Sequence, residues 1–357
     1  MTDTIPALAG LTTLRVGGRP AEFVAPADEQ SLVEEARRLW SSSEPWAILA
    51  GGSNTVAPDE GFDGAVLHVA TRGVERLDAP DGEVRLRVQA GEPWDDVVRL
   101  AVENGWAGIE ALSGIPGSTG AVPVQNVGAY GQEVAGALLA VDVLDADTLE
   151  VRRLAASDLG LGYRTSIFKR GYEALITAVE LRLAASGTDS SALGSPVAYA
   201  QLAAALDVPL GTRVPLADAR ACVLALRRSK GMVLDPADPD STSAGSFFTN
   251  PIVTESFARG LPDDAPRWPL GDEQPDDGPI LVKLSAAWLI EHAGIRRGFA
   301  LPGSRAAVSG KHTLAITNRG GASAEEVLQL ASFIQARVSA DFAINLQPEP
   351  VILSNAR

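Results

Sequence analysis

The stretch Ser113–Gly131 reads SGIPGSTGAVPVQNVGAYG. Its 19 positions hold five glycines, two prolines and no charged residue. Because Gly and Pro both interrupt helix and strand ladders, the stretch predicts a loop shaped by its backbone. Closely spaced glycines let main-chain N–H groups approach a ligand, and such groups suit phosphate oxygens. Two interpretations stay open: a turn-rich connector between strands, or a cradle that holds a pyrophosphate by amides alone.

A second neutral glycine turn, AGGSNT at 50–55, lies in the same half of the chain. Neither turn contains the Gly-Lys-Ser/Thr of a Walker loop, and neither is a GxGxxG that opens a helix after a strand. Two amide-rich turns that face each other could enclose an elongated diphosphate. Composition alone leaves a nucleotide cofactor as one interpretation among others.

Bulk composition favours a globular protein of two or three domains, because the chain has 357 residues and 46% hydrophobic residues. We expect a cytoplasmic protein: no apolar run is long enough to cross a bilayer, and the N-terminus does not resemble a secretory signal. One cysteine excludes an internal disulfide, and three scattered histidines argue against a metal site.

The net charge of −15 argues against nucleic-acid binding. An acidic protein can still bind an anion where its few cations are concentrated. Only four lysines are present.

Hydrophobic periodicity predicts a mixed α+β fold. Helices are expected at Gln30–Trp40, Pro93–Asn104, Leu216–Lys230, Ser285–His292 and Ala324–Val338. Strands are expected at Trp46–Ala50 (buried), Gly64–Ala70, Val84–Ala90, Leu139–Asp145 and Leu175–Leu183. Residues 184–196 lose periodicity and indicate a linker, and the Pro- and Asp-rich stretch 259–279 indicates an exposed loop.

Six segments occur in a characteristic order: GGSN, the Ser113–Gly131 loop, YRTSIFK, AGSFFTNP, WLIEHAG and LQPEPVIL. From about Gly17 to the last residue the chain resembles the bacterial UDP-N-acetylenolpyruvoylglucosamine reductase family, flavoenzymes of peptidoglycan precursor synthesis. The combination of segments is far more specific than any single glycine run.

The resemblance implies a two-part FAD-binding domain of the vanillyl-alcohol-oxidase (PCMH) type, at residues 1–75 and 76–185. Residues 186–357 would form an α+β substrate-binding domain, whose last strand is a candidate to return to the FAD region. NADPH would be the co-substrate, a UDP-sugar the substrate, and the protein a monomer. The residues then expected to bind FAD lie in the two glycine segments: Gly51, Gly52, Ser53, Asn54, Ser113, Gly114, Ile115, Pro116, Gly117, Ser118, Gly120, Ala121, Gln125, Asn126, Gly128, Ala129, Tyr130 and Gly131.

In this family hydride passes from NADPH to FAD and then to the enolpyruvyl C3, which leaves negative charge at C2 to be held and protonated. Arg164 matches the catalytic arginine, whose guanidinium can grip a carboxylate in two hydrogen bonds. Ser246 matches the proton donor. Glu349, fixed between two prolines, matches the glutamate near the enolpyruvyl group. Taken alone, Arg164 would be interpreted as part of a surface ion pair, Ser246 as a turn serine and Glu349 as part of an exposed loop.

For the UDP-sugar the resemblance points to Tyr199, Arg228, Lys230 and Asn250. Arg227 stays equally open as a ligand or as a solvated helix end. His292 stands where the family often carries Gln, so its contact with substrate is doubtful. His68, the only candidate for a covalent flavin link, lies outside the glycine loop, and we therefore expect FAD to be bound non-covalently.

Two other functions remain as alternatives. One is another flavoenzyme of this fold, such as an alcohol or sugar oxidase, which would not need Arg164, Ser246 and Glu349 together. The other is a UDP-sugar or nucleotide binder without catalysis, which would show no turnover of NADPH.

Overall fold

The computed structural model describes residues 5–187, 191–271, 274 and 278–355. Within these ranges the α-helices are α1 (Glu29–Trp40), α2 (Trp94–Glu103), α3 (Ala200–Ala205), α4 (Leu216–Ser229), α5 (Glu255–Ala258), α6 (Ala286–His292) and α7 (Ala324–Phe342). The strands are β1 (Glu22–Val24), β2 (Trp46–Leu49), β3 (Thr55–Val56), β4 (Ala65–His68), β5 (Val74–Leu77), β6 (Glu83–Gln89), β7 (Trp106–Ala107), β8 (Gly128–Ala129), β9 (Gln132–Glu133), β10 (Leu138–Asp145), β11 (Val151–Ala155), β12 (Ala174–Ala185), β13 (Ser243–Ser246), β14 (Ile252–Thr254), β15 (Arg267–Pro269), β16 (Leu281–Leu284), β17 (Ala306–Val308), β18 (Ala315–Asn318) and β19 (Val351–Ile352).

The strands form several small sheets and one larger sheet. The larger sheet is antiparallel with strand order β11-β10-β12-β6-β5, and β7 also pairs with β12. A parallel sheet has the order β1-β4-β2. Two antiparallel sheets have the orders β13-β18-β17 and β14-β16-β15, and β19 pairs in parallel with β3. The prediction of an α+β fold is confirmed.

By contact the chain divides into two compact units. The first contains Pro20–Gly52 and Asp63–Ser229, and the second contains Pro6–Arg19, Ser53–Phe62 and Lys230–Arg357. The predicted division into residues 1–75, 76–185 and 186–357 stays a prediction. The grouping by contact differs from it in placing α3 and α4 in the first unit. The last strand, β19, pairs with β3 inside the second unit.

Two amphipathic helices close the core of the first unit. In α1 the buried face is Leu32, Val33, Ala36 and Leu39, and the Asp28 carboxylate accepts a hydrogen bond from Ser31 N at 2.8 Å. An N-cap of this kind satisfies one of the backbone amides left free at the start of a helix. Helix α2 buries Trp94, Val97, Val98 and Ala101 in the same core as β6, β10 and β12. These elements fall where periodicity predicts them.

The second unit is built around α7, which begins with a capping box formed by Ser323 and Glu326. Asp59 adds two acceptors for the first free amides of α7, at 2.8 Å from Ala324 N and 3.1 Å from Glu325 N. Phe247 and Phe248 are 0% and 1% exposed in this core. Leu14, Val16 and Val56 belong to the same core, although they lie early in the chain.

Two local predictions are wrong. Trp46–Ala50 is not a buried strand: β2 lies at an edge of its sheet, only Leu49 is buried, and Ile48 is 40% exposed. The stretch 259–279 is not wholly a loop, because it contains β15, which pairs with β16. Residues 272–273 and 275–277 of that stretch, and residues 188–190 of the predicted linker, lie outside the described part of the chain.

Candidate active site

The first part of the glycine loop is fastened to the residues that lead into α2. Gly117 O accepts from Trp94 N at 3.0 Å, and Thr119 N donates to Glu92 O at 2.8 Å. Gly114 N donates to Asp95 Oδ1 at 2.5 Å. The loop is therefore an ordered surface of the first unit, not a slack connector.

The two glycine turns touch at Gly51 and Gly117. A Cβ placed on Gly51 would lie 2.6 Å from Gly117 Cα, 2.7 Å from Gly117 C and 2.8 Å from Ser118 N. Since all three atoms are backbone, no rotamer change could relieve the contact. The structure thus brings together the two segments that the sequence assigns to one cofactor, and this approach requires glycine at position 51.

Not every amide of the loop can serve a phosphate. Gly120 N donates to Ala90 O at 2.8 Å and Ala121 N donates to Ser118 O at 3.0 Å. Together with the Gly114 bond to Asp95, these contacts use several amides inside the protein. The expectation of a cradle made from the loop's amides as a set is therefore too broad.

A buried hydroxyl supports the fit of the loop to a nucleotide. Ser118 is 3% exposed, and its Oγ has no hydrogen-bond partner among the described residues. By contrast, Ser113 Oγ donates to Glu110 O at 2.6 Å. A buried unsatisfied hydroxyl costs about 1–3 kcal/mol, so a bound acceptor such as a phosphate oxygen would relieve it. The close turns and this hydroxyl fit FAD.

The second half of the loop is shaped by residues with left-handed backbone. Asn126 has φ 44° and Tyr130 has φ 50°. The Asn126 side chain is buried, donates to Glu133 Oε2 at 2.8 Å and accepts from Ala135 N at 3.1 Å. Among the other predicted cofactor residues, the half-buried ones are Ser53, Asn54, Ile115, Pro116, Ala121, Gln125, Gly128 and Ala129, while Gly52 is buried and Gly131, with φ 85°, is exposed.

Arg164 occupies the second central position of a tight turn. Gly162 and Thr165 exchange two backbone hydrogen bonds of 3.2 Å each, and Arg164 between them has φ 52°. A left-handed conformation costs a non-glycine residue roughly 1–2 kcal/mol. Its Nη2 donates to Gly128 O at 3.3 Å, which holds the guanidinium against the glycine loop. Six other described non-glycine residues, among them Leu149 and Ala343, also have positive φ, so the turn positions Arg164 without by itself defining its role.

Arg227 is the residue that sequence reasoning left undecided. It is 9% exposed and lies near Tyr130, Asp95 and Arg164. Burial lowers its pKa to about 10, with Tyr130 and Asp95 opposing that effect and Arg164 adding to it. The guanidinium therefore stays charged at neutral pH. Arg228, the residue preferred from the motif, is exposed at the end of α4.

The sequence did contain a signal for Arg227. The buried face of α4 runs through Leu216, Ala219 and Val223, and four residues further it reaches Arg227. A helix face of this period predicts an inward side chain at 227 and an outward one at 228.

Tyr199 lies directly before α3 and touches the glycine loop. Its ring meets that of Tyr130 edge-on, with centroids 5.8 Å apart and an interplanar angle of 87°. Tyr199 remains 45% exposed. A predicted substrate residue and a predicted cofactor residue are thus neighbours in the first unit.

In the second unit the segments that carry Ser246 and Glu349 lie side by side. Glu349 N donates to Phe247 O at 2.9 Å, one residue beyond Ser246, and Thr249 N donates to Gln347 O at 3.1 Å. Asn54 of the GGSN turn donates from Nδ2 to Glu349 O at 3.1 Å. Three of the motif segments therefore meet here, two of them through main-chain hydrogen bonds and the third through the Asn54 side chain.

The two remaining predicted substrate residues also belong to the second unit. Asn250 Oδ1 accepts from Ala286 N at 3.0 Å, at the start of α6. Lys230 lies near His312, whose pKa falls to about 4 because of burial and the charges of Lys230 and Arg297, with Glu291 opposing them. His312 is therefore neutral at physiological pH beside the predicted diphosphate-binding cation.

The histidines in doubt have structural partners. His292 stacks on Trp288 with centroids 3.7 Å apart, and its Nδ1 lies 2.9 Å from Trp288 O. His68, at the end of β4, contacts the Phe23 ring at 5.7 Å, and burial lowers its pKa. Within the described residues there is no helix long and apolar enough to cross a membrane, and no cluster of three or more His, Cys, Asp or Glu that could hold a metal.

Comparison with known proteins agrees with this geometry. Residues 20–152 match a family model described as FAD binding domain. Residues 236–353 match a family model described as UDP-N-acetylenolpyruvoylglucosamine reductase, C-terminal domain. The fold and the glycine turns thus define an FAD-binding flavoprotein.

Curated relatives cover nearly the whole chain. A UDP-N-acetylenolpyruvoylglucosamine reductase of Leifsonia xyli is 60% identical over 99% of both chains. One of Saccharopolyspora erythraea is 48% identical over 98% of this chain and 95% of its own. The crystal structure of a UDP-N-acetylenolpyruvylglucosamine reductase from Thermus caldophilus shares the fold, with TM-score 0.64, 24% identity and 98% of both chains covered. The chain belongs to the UDP-N-acetylenolpyruvoylglucosamine reductase family.

Proposed function

We propose that Arg164, Ser246 and Glu349 carry the chemistry of the reduction that defines this family. In that reaction the enolpyruvyl ether of UDP-N-acetylglucosamine enolpyruvate is reduced to UDP-N-acetylmuramate, with NADPH as reductant and FAD as cofactor. The chain is an FAD-dependent oxidoreductase of peptidoglycan synthesis. The observation that carries this conclusion is the 60% identity to a curated reductase over 99% of both chains.

Gly51, Gly117 and Ser118 would hold the cofactor. The contact between the two glycine turns and the buried Ser118 hydroxyl support this assignment. Bound FAD would supply the hydride that the enolpyruvyl group receives.

Arg164 would bind the enolpyruvyl carboxylate and stabilise the negative charge that develops next to it. A guanidinium can donate two parallel hydrogen bonds to a carboxylate, and donors preorganised at a developing charge contribute about 2.7–4 kcal/mol. The tight turn and the bond to Gly128 O keep the side chain in place before substrate arrives. Arg227, which is buried and charged, would add positive potential at the same loop.

Ser246 would donate the proton to C2 of the substrate from its Oγ. A serine hydroxyl is a weak acid, but the carbanion is a strong base, and general acid catalysis contributes about 10²–10⁴-fold. Glu349 would orient the carbanion intermediate for this proton transfer. The Glu349 backbone is fixed by the hydrogen bonds to Phe247 O and Asn54 Nδ2. We assign the UDP part of the substrate to Lys230, Asn250 and Tyr199, and prefer the buried Arg227 to Arg228.

Anaerobic addition of NADPH tests the function directly. The purified holoprotein should lose its yellow colour with NADPH, and UDP-N-acetylglucosamine enolpyruvate should restore it. An alcohol or sugar oxidase would not be reoxidised by the sugar nucleotide. A binder without catalysis would not bleach at all, and either result would contradict the proposal.

We further propose that the protein is a cytoplasmic monomer with non-covalent FAD. His68, the histidine considered for a covalent link, is half-buried in β4 against Phe23. Acid precipitation should release the flavin into the supernatant, whereas colour retained in the pellet would show a covalent link. Sedimentation of the holoprotein should give a mass near 37.2 kDa.

A further inference from the structure

We propose that Asp95, paired with Arg220, is a positioning residue that sets the conformation of the glycine loop and thereby the affinity for FAD. The inference rests on the proposed role of this loop in holding the cofactor. Asp95 lies in the first turn of α2 and Arg220 lies in α4.

The contact is a half-buried, two-pronged ion pair with a third donor. Arg220 Nη1 lies 2.6 Å from Asp95 Oδ1, and Arg220 Nη2 lies 2.9 Å from Asp95 Oδ2. Gly114 N also donates to Asp95 Oδ1, at 2.5 Å. The Arg220 side chain is 13% exposed and the Asp95 side chain is 37% exposed, so water screens the carboxylate in part, and the two-pronged geometry is what fixes the pair.

Asp95 provides a side-chain contact to the glycine loop, which is otherwise held to the start of α2 by main-chain hydrogen bonds. Main-chain bonds from Trp94 N to Gly117 O and from Thr119 N to Glu92 O hold the far end of the turn. At the near end Gly114 has φ 72°, a conformation that needs glycine, and its amide is held by the carboxylate. The segment 114–117, which contacts Gly51, is therefore held at both ends by hydrogen bonds to α2, at Asp95 and at Trp94.

Pairing with both prongs of Arg220 requires the charged carboxylate. Burial alone would raise the pKa of Asp95, but hydrogen bonds from Arg220 and Gly114 N and the charges of Arg220 and Arg227 hold it below its ordinary value. An asparagine could still accept from Gly114 N, but its amide NH₂ would leave one prong of Arg220 without an acceptor.

The same pair links the loop to two further arginines, Arg227 and Arg164. Arg220 and Arg227 are seven residues apart on α4, about two helical turns, and so share one side of the helix. Arg227 lies near Tyr130 of the glycine loop and near Arg164. A change at Asp95 should therefore alter both the FAD loop and the placement of Arg227.

Titration of FAD into apoprotein tests the proposal. The variants are Asp95→Asn and Arg220→Gln, with Asp96→Asn as the matched control, because Asp96 is the adjacent, exposed aspartate whose partner is Arg99. Asp95→Asn should raise the FAD dissociation constant roughly 10- to 100-fold, the range expected for losing hydrogen bonds to a charged group. Arg220→Gln should raise it to a similar extent, and Arg220→Lys should restore part of the affinity.

Two further readouts distinguish a specific loss of FAD affinity from a general loss of folding. The unfolding transition of each apoprotein shows whether it is folded at the titration temperature, and the visible spectrum of bound flavin reports its surroundings. We expect a shifted spectrum in Asp95→Asn, with a rise in KM and a fall in kcat. The proposal would be overturned if Asp95→Asn bound FAD within twofold of the affinity of the Asp96→Asn control and showed the same flavin spectrum. Failure of the unmodified apoprotein to bind FAD would instead contradict the proposed function.

Discussion

Gly51→Ala offers a direct test of the contact between the two glycine turns. The new Cβ would lie 2.6 Å from Gly117 Cα, against roughly 3.5–4.0 Å for ordinary carbon contacts. The turns must therefore separate by about 1 Å. Overpacking of this kind costs typically 1–3 kcal/mol. The φ of Gly51 is not positive, so alanine adds no backbone strain.

If this cost falls on the cofactor site, FAD should bind roughly 5- to 150-fold more weakly. The assay is quenching of flavin fluorescence during titration of apoprotein, with the thermal unfolding of the apoprotein measured in parallel. Gly136→Ala is the control, because a Cβ there meets nothing within 4 Å and its φ is not positive. We expect the control to bind FAD normally and to be stabilised by about 0.4–1 kcal/mol. Equal FAD affinity in the two variants would show that FAD binding does not depend on the close approach of the two turns.

Three further outcomes are expected. Ser246→Ala should leave NADPH bleaching near normal while flavin reoxidation by the sugar nucleotide slows about 10²–10⁴-fold in stopped-flow experiments, and equal loss of both steps would place Ser246 outside proton transfer. Arg164→Gly should lower kcat at least about 100-fold without lowering the unfolding free energy, because glycine relieves the left-handed backbone, and a clear loss of stability would contradict this. His312→Gln should weaken the loss of stability as pH falls from about 6.5 to 4, by on the order of 3 kcal/mol at most, because the unfolded chain binds a proton at this histidine that the folded protein, with a pKa of about 4 there, does not bind. Denaturant melts of the unmodified protein and of His312→Gln across that pH range would show the difference, and identical pH profiles would contradict it.

Sequence periodicity predicted the longer elements because each has a clear buried face. Helix α1 was expected at Gln30–Trp40 and is found at Glu29–Trp40, and the strand expected at Leu139–Asp145 is found at Leu138–Asp145. Both carry regular apolar spacing that a single sequence displays.

The short strands could not be predicted in the same way. β15 lies in a Pro- and Asp-rich stretch and forms because β16 pairs with it, which local propensity does not reveal. The exposure of Ile48 follows from the edge position of β2, and the order of strands in a sheet is not written in one strand.

The candidate site was predicted by motif, while its electrostatics came from the structure. The motif named Arg164, but not its positive φ or its proximity to Arg227. The anchor at Asp95 was not predicted either, because the sequence WDDVV offers two adjacent aspartates and only the fold shows which one meets Gly114 and Arg220.

The division of the second unit among three chain segments has a consequence for biosynthesis. Leu14, Val16 and Val56 leave the ribosome early, yet their core partners in α7 are made more than 250 residues later. At about 5–20 residues per second the interval is on the order of 15–60 s. During that time these apolar segments cannot pack into their native core, and β3 lacks its partner strand β19. We expect the nascent chain to depend on holding chaperones until translation is nearly complete, even if the first unit folds earlier.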